Sequence, residues 1–459
     1  MQLLNQSNFA NNPKANPPNY AMSDVRIGVL HMGLGAFHRA HQAVFFENVL
    51  RSGNLNYGVC SVSQRSSTVA DSLAAQDGFY TVNAQDGSHS EPMIIGAIRE
   101  TAFYERDLAR LLEIAKSPDL RLITLTVSEK AYRNGDASHL PHRIATLLAA
   151  RYAAGLPGLA VISCDNLPSN GEVTRRVVLE AITEPPVGFV DWVKTQVRFP
   201  NSMIDRIVPA ITQASIDKFA EEFGYLDKSL ITTEFWNEWI IENDPLEAEL
   251  SCAGVRFVEK VAPYELAKIR MFNGNHSTLA YISQLAGIEY VADAIVDPVI
   301  APFILKLQEL ELGRSFTPPA DLDPIAYAGV VRTRVSNPTL LHRSQQIAMD
   351  GSQKLPQRLF GAANDLLARN LPATRICFAI AVWLHYLATS DKVSDPLASA
   401  LLPLAQLSDP LEAVKQSLSL PQFASTVDAQ HFPTIAHSLK QLREKDVKAA
   451  IQDLEGGAV

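Results

Sequence analysis

The sequence predicts an α/β protein, with an N-terminal Rossmann-type doubly wound sheet followed by a mostly α-helical C-terminal domain. Three observations carry the prediction. Short apolar, strand-like runs alternate with helical stretches from Arg26 to about Cys164, as in a parallel sheet covered on both faces. A Gly33-Leu-Gly35 turn directly follows the first run and opens a helical stretch. After about Ala262 strand-like runs nearly vanish and helical periodicity dominates.

Taken in order, residues 1–24 are rich in Asn and Pro, carry one Lys and lack an apolar run, so they read as a disordered tail. Met22 offers an alternative start. Arg26–Met32 is the first buried strand and Tyr57–Ser63 the second, with a helical stretch from Arg39 to Ser52 between them. Met93–Ile98, Leu120–Val127 and Leu159–Cys164 are further strand-like runs; Glu105–Ala115 and Arg143–Ala154 are helical. These elements form a dinucleotide-binding domain over residues 25–255. Residues 256–459 form a helical substrate and catalytic domain, with helices expected at Tyr264–Leu285, Pro302–Leu312, Gln357–Leu366, Ile376–Leu387 and Pro433–Leu454. The Pro-rich segment Gly313–Pro338 is expected to loop.

Composition narrows the function. The chain has 459 residues, 47% hydrophobic and 19% charged, which suits two or three soluble domains. A net charge of −9 without a basic stripe argues against nucleic acid or an anionic membrane as partner. A small anionic substrate stays compatible, because a local pocket can oppose the global sign. Cys60, Cys164, Cys252 and Cys377 are scattered, which fits reduced thiols in the cytoplasm and gives no zinc pattern. The longest apolar run, Ile376–Leu384, is too short to span a bilayer. Nothing in the pattern sets an oligomeric state.

In the strand–turn–helix context, Gly33, Gly35, Ala36 and Phe37 predict a dinucleotide turn, where the pyrophosphate approaches a helix N-terminus. His38 stands where the third glycine of that fingerprint would allow close helix–strand packing. The acid that grips the ribose should end the second strand, but Ser63-Gln64-Arg65-Ser66 has none. NADP therefore stays open, with Arg65 positioned for a 2′-phosphate or, alternatively, solvated in a loop. His38 and His41 are spaced i, i+3, yet no carboxylate or cysteine lies beside them at ligand spacing, so no metal site is expected. Trp236 and Trp239 read as packing. Cys164-Asp165-Asn166 ends a strand at the carboxyl edge of the sheet, where such folds bind ligands.

The most informative stretch is Lys268-Ile-Arg-Met-Phe-Asn273-Gly-Asn-His276. At about 100° per residue Lys268, Asn273 and His276 fall near 0°, 140° and 80°, and Glu265 near 60°. A base, an amide, an imidazole and a carboxylate on one half of a helix suit proton transfer from a hydroxyl. A solvated polar stripe is the alternative reading.

Together, Gly-Leu-Gly-Ala-Phe-His-Arg-Ala-His-Gln (33–42), Thr-Val-Ser-Glu-Lys-Ala-Tyr (126–132), Ser-Cys-Asp-Asn-Leu-Pro-Ser-Asn-Gly (163–171), Asp205-Arg-Ile and Lys-x5-Asn-x2-His (268–276) resemble the mannitol dehydrogenase family. These are polyol-specific long-chain dehydrogenases that include fructuronate reductases, and the resemblance runs from about residue 25 to beyond 440. It implies NAD as cofactor, no metal, and a Rossmann-type domain joined to a helical one. It further implies Lys268 as the acid/base, with Asn166 and Asn273 holding the reacting oxygen. His276 and Asp205 would line the substrate site, Glu265 would conduct the proton, and Ser128, Glu129 and Lys130 would lie near the nicotinamide. The family's Thr-Glu-Lys-Gly is Ser-Glu-Lys-Ala here. Gln346 stands where mannitol-oxidising members place an arginine, eight residues before Lys354. The segment His342–Arg358 resembles the fructuronate reductase version and offers Lys354 and Arg358 as carboxylate partners.

Hydride transfer from a secondary alcohol needs positioning, charge stabilisation on oxygen and one proton acceptor. Lys268 meets the last need if burial and a neighbouring cation lower its pKa from about 10.4. The expected reaction interconverts a keto-hexuronate and its hexonate, fructuronate and mannonate. The alternatives are a polyol dehydrogenase, a decarboxylating hydroxyacid dehydrogenase and a non-catalytic nucleotide sensor.

Overall fold

The computed structural model describes residues 1–127, 129–132, 139–423 and 426–457, without the side chains of Glu129 and Lys130. The chain divides into two compact units, Met1–Ala262 and Pro263–Val459, against the expected division at 255/256.

In the first unit five strands form one all-parallel sheet: β1 (Ile27–Met32), β2 (Gly58–Ser63), β3 (Ile98–Phe103), β4 (Leu122–Leu125) and β5 (Ala160–Ser163). Their spatial order is β3-β2-β1-β4-β5. The order reverses direction at β1, so the crevice between the carboxyl ends of β1 and β4 is the switch point where such sheets bind ligands. Alternate residues serve opposite faces. Val29, Val59, Leu122, Ala160 and Ile162 pack with Phe45, Phe46 and Trp239, whereas Leu30, Met32, Val62, Ile123 and Val161 pack with Ile144, Leu148 and Phe189. Burial on both faces explains why the strands read as continuous apolar runs.

Two expectations for this unit are corrected. The run at Met93–Ile98 straddles two strands: Ser90–Ile95 pairs antiparallel with Tyr80–Gln85 in a separate sheet, and Ile98 begins β3. Residues 1–24 are not a disordered tail. Gln2–Leu3 pairs parallel with Tyr225–Leu226, Leu4 and Ala15 are fully buried, and Phe9 stacks on Phe79 at 4.7 Å. A few apolar residues dispersed among Asn and Pro suffice to dock the segment.

The second unit is helical. Thr374–Thr389, apolar almost all round, packs against Asn275–Leu285 and Phe432–Glu444. The expected loop at Gly313–Pro338 contains a helix, Pro324–Val335, capped by Asp323 Oδ1 accepting from the Ile325 N–H at 2.9 Å. Pro324 at its first position starts the helix and does not break it. Among the described residues no helix is long and apolar enough to cross a membrane.

Candidate active site

Gly33 follows β1 with φ +120°, and a Cβ there would sit 2.0 Å from the Thr126 carbonyl oxygen at the end of β4. Only glycine fits. At Gly35 a Cβ would meet nothing nearer than the Gly33 carbonyl oxygen at 3.9 Å. Gly35 and Ala36 are exposed where the helix Ala36–Ala40 begins, and Phe37 stacks on His41. An open backbone surface at a helix start on the switch point fits a dinucleotide pyrophosphate.

Beneath this turn the missing third glycine has a structural counterpart. His38 is buried and stacks on His31, rings 3.4 Å apart and 10° from parallel. His38 Nε2 pairs with Ser61 Oγ at 2.8 Å; His31 pairs with Thr124 Oγ1 at 2.7 Å and Thr126 Oγ1 at 2.8 Å. Burial lowers both imidazoles, His31 to about 3, so both are neutral and fill the gap between helix and sheet. His41 Nε2 instead donates to the Glu238 carbonyl at 2.8 Å, so the i, i+3 histidines serve separate partners. No group of three or more possible metal ligands occurs among the described residues.

Arg65 is exposed just beyond β2. Its neighbour Gln64 is held by Arg143, which donates to Gln64 Oε1 at 2.7 Å and lies 4.3 Å over the Tyr104 ring. At the end of β5 Asn166 is exposed in a stitched turn. Asp165 accepts from the Val127 N–H at 3.0 Å and the Tyr132 hydroxyl at 2.6 Å. Asn170 bridges to Ser202 through its carbonyl at 2.8 Å and its N–H at 2.9 Å. Asp205, buried, ends the strand Ser202–Asp205. Ser128 lies outside the described residues, as do the side chains of Glu129 and Lys130.

In the second unit Glu265, Lys268, Asn273 and His276 lie on one continuous helical path. Its middle, Lys268–Gly274, is a π-helix between Ala262–Ala267 and Asn275–Leu285. In that register the N–H of residue i+5 bonds to the carbonyl of residue i, so Lys268 and Asn273 are one turn apart on neighbouring positions. The expected separation of about 140° came from α geometry and is corrected here. Lys268 and His276 are buried; Asn273 and Glu265 are half-buried.

A second π segment, Pro356–Phe360, packs on the first. Arg358 donates to Ser277 Oγ at 2.9 Å and the Asn273 carbonyl at 3.4 Å, and a Cβ on Gly274 would come within 3.0 Å of the Arg358 carbonyl. Lys354 donates to the Met349 carbonyl at 2.6 Å. Two groups that the sequence expectations gave no site role join them. The Arg334 guanidinium lies 4.3 Å over the Phe272 ring, and His342 meets His276 edge to face at 5.1 Å. Burial first, then His342, Arg358, Arg334 and Lys354, hold His276 well below the ordinary imidazole range.

The mannitol dehydrogenase Rossmann domain matches residues 27–252, and the mannitol dehydrogenase C-terminal domain matches residues 260–443. The D-mannonate oxidoreductase of Escherichia coli K12 is 31% identical over 95% of this chain and 97% of its own. An uncharacterized oxidoreductase of the same organism, YdfI, is 34% identical over 86% of each chain. The Pseudomonas fluorescens mannitol 2-dehydrogenase, solved as a ternary complex with NAD and D-mannitol, is 28% identical with a TM-score of 0.86, covering 99% of this chain and all of that one. With its parallel sheet, a Gly33–Ala36 turn that fits NAD, and a helical second unit, the chain belongs to the mannitol dehydrogenase family, oxidoreductases acting on CH–OH groups.

Proposed function

We propose that this protein is a metal-independent, NAD-dependent oxidoreductase interconverting a keto-hexuronate and its hexonate, fructuronate and mannonate. The observation that carries the reading is the group of cations Arg334, Lys354 and Arg358 around the buried His276. A carboxylate gains more than a neutral hydroxyl from such cations, because both partners of each hydrogen bond are then charged. The 31% identity to a D-mannonate oxidoreductase over nearly the full length supports the same choice. Lys354 and Arg358 also bond to main-chain or hydroxyl oxygens. An ammonium offers three donors and a guanidinium five, so those bonds are compatible with a carboxylate ligand.

Bound NAD would supply the hydride acceptor. In alcohol oxidation Lys268 takes the hydroxyl proton, and in carbonyl reduction it returns it. The Asn166 and Asn273 amides donate to the reacting oxygen, Glu265 passes the proton on, and His276 and Asp205 line the substrate site. With amides in the electrophilic role no metal is needed. Gly33, Gly35, Ala36 and Phe37 hold the pyrophosphate side, and Glu129 and Lys130 serve the nicotinamide side.

The deciding measurement is kcat/KM for fructuronate, fructose, mannonate, mannitol and arabinitol, each with the NAD and NADP forms. A charge-assisted bond to the carboxylate should favour the acids by roughly tenfold to a hundredfold. Mannitol or arabinitol equal to or above mannonate makes the protein a polyol dehydrogenase. An NADPH preference that collapses in Arg65→Ala makes Arg65 a 2′-phosphate ligand.

A further inference from the structure

The buried His276 and the half-buried His342 meet edge to face, ring centroids 5.1 Å apart and 86° between planes. Each keeps one buried ring nitrogen without a hydrogen-bond partner among the described residues: Nε2 of His276 and Nδ1 of His342. His276 as a whole is only 6% exposed. A buried polar atom left unpaired is unfavourable in the free protein and marks where a ligand atom is received.

The pair is rigidly mounted. The Val291 N–H donates to the His342 carbonyl at 3.2 Å, and Tyr290 and Arg343 form an antiparallel bridge. Next along the chain, Ser344 Oγ accepts from Gln284 Nε2 at 2.6 Å. Gln284 shares the helix Asn275–Leu285 with His276, so both rings are set on one frame.

The surroundings define the ligand. Burial lowers His342 to about 4, with the Lys354 charge acting in the same direction. His276 is lowered further, under Arg358, Arg334 and Lys354 as well. Two neutral imidazoles supply directed hydrogen bonds and three cations supply the charge, a combination suited to a carboxylate and in excess for a hydroxyl.

We propose that His342 is a specificity-determining residue: with His276 it receives the carboxylate-bearing end of the substrate and separates a sugar acid from its polyol. The proposal rests on the hexonate reading above. Its test is the ratio of kcat/KM for D-mannonate to that for D-mannitol, both taken on one preparation of each variant so that loss of folded protein cancels. Wild type favours mannonate. His342→Ala lowers the ratio roughly tenfold to a hundredfold, and His342→Asn, whose amide nitrogen stands near the Nδ1 position, recovers most of it. A mannonate preference that His342→Ala leaves unchanged overturns this inference and spares the hexonate reading. A wild type that prefers mannitol overturns both.

Discussion

Lys268 and Asn273 are five residues apart, which in the π register is one turn and in the α register would place them well round the helix. The distinction matters for the proposed roles, in which the base and the amide address the same oxygen. Replacing Lys268 with Ala is expected to nearly abolish turnover while NADH binding survives; a kcat above a tenth of wild type near neutral pH rejects the assignment. Asn166→Ala and Asn273→Ala should each lower kcat more than they raise KM, since a donor to developing charge contributes about 3 kcal/mol at the transition state. A rise in KM alone in either variant would make that amide a simple binding group. At this scale the sequence was readable where chemistry is local: Gly33 before a helix, or Lys268 and His276 on one stretch. Arg334 and His342 escaped it because each is unremarkable among its own neighbours. They acquire meaning only once Pro324–Val335 packs on the π segment and Ser344–Ile347 packs on the helix Asn275–Leu285 that follows it.

Among elements, apolar periodicity located the strands of the parallel sheet and most helices of the second unit, since both patterns reflect which face is buried. It could not distinguish i→i+5 from i→i+4 hydrogen bonding, which depends on packing against Pro356–Phe360. Nor could it split Met93–Ile98 between two sheets, because the apolar end of one strand, Met93–Ile95, and Ile98 at the start of the other are separated only by Gly96-Ala97. A capping group from outside its own helix was equally invisible. Glu311 accepts from the Arg375 and Ile376 N–H groups, each at 2.9 Å, at the start of Thr374–Thr389. Burial outweighs these bonds and the Arg375 charge, raising its carboxyl to about 7. A raised folded-state pKa means its stabilising contribution is full below the ordinary carboxyl range, about 4.5, and is lost as pH rises through about 7. Glu311→Gln cannot ionise. The stability of wild type relative to this variant should therefore fall by roughly 2–3 kcal/mol between pH 4.5 and pH 8, read by urea unfolding at both pH values. A difference that rises with pH would show that the ionised cap is the favoured form.

For the molecule as a whole, the N-terminal segment is where composition misled most. Asn and Pro dilute the hydrophobic signal of residues 1–24, yet the contacts that hold the segment are concentrated in a few positions. Leu4 is fully buried, with its N–H bonded to the Leu226 carbonyl at 2.9 Å. Phe9 covers Phe79. The Tyr20 hydroxyl donates at 2.7 Å to Glu47, a fully buried carboxylate that also accepts from Arg51 and the Gly96 N–H. Arg51 in turn donates to the Asn16 carbonyl at 2.9 Å, so one ion pair ties the segment to the helix Gln42–Arg51 behind the dinucleotide turn. A chain begun at Met22 loses the buried leucine, the ring stack and one of the groups satisfying Glu47. Cavity and unsatisfied-charge effects of that kind sum to roughly 3–5 kcal/mol, on the order of a 10 °C fall in Tm. Tyr20→Phe alone should account for about 1–3 kcal/mol of it. Thermal melts of the full chain, Tyr20→Phe and the Met22 start decide the matter. If the shortened chain melts within a degree of the full one, the segment is a passive tail after all, and Glu47 is satisfied by Arg51 and Gly96 alone.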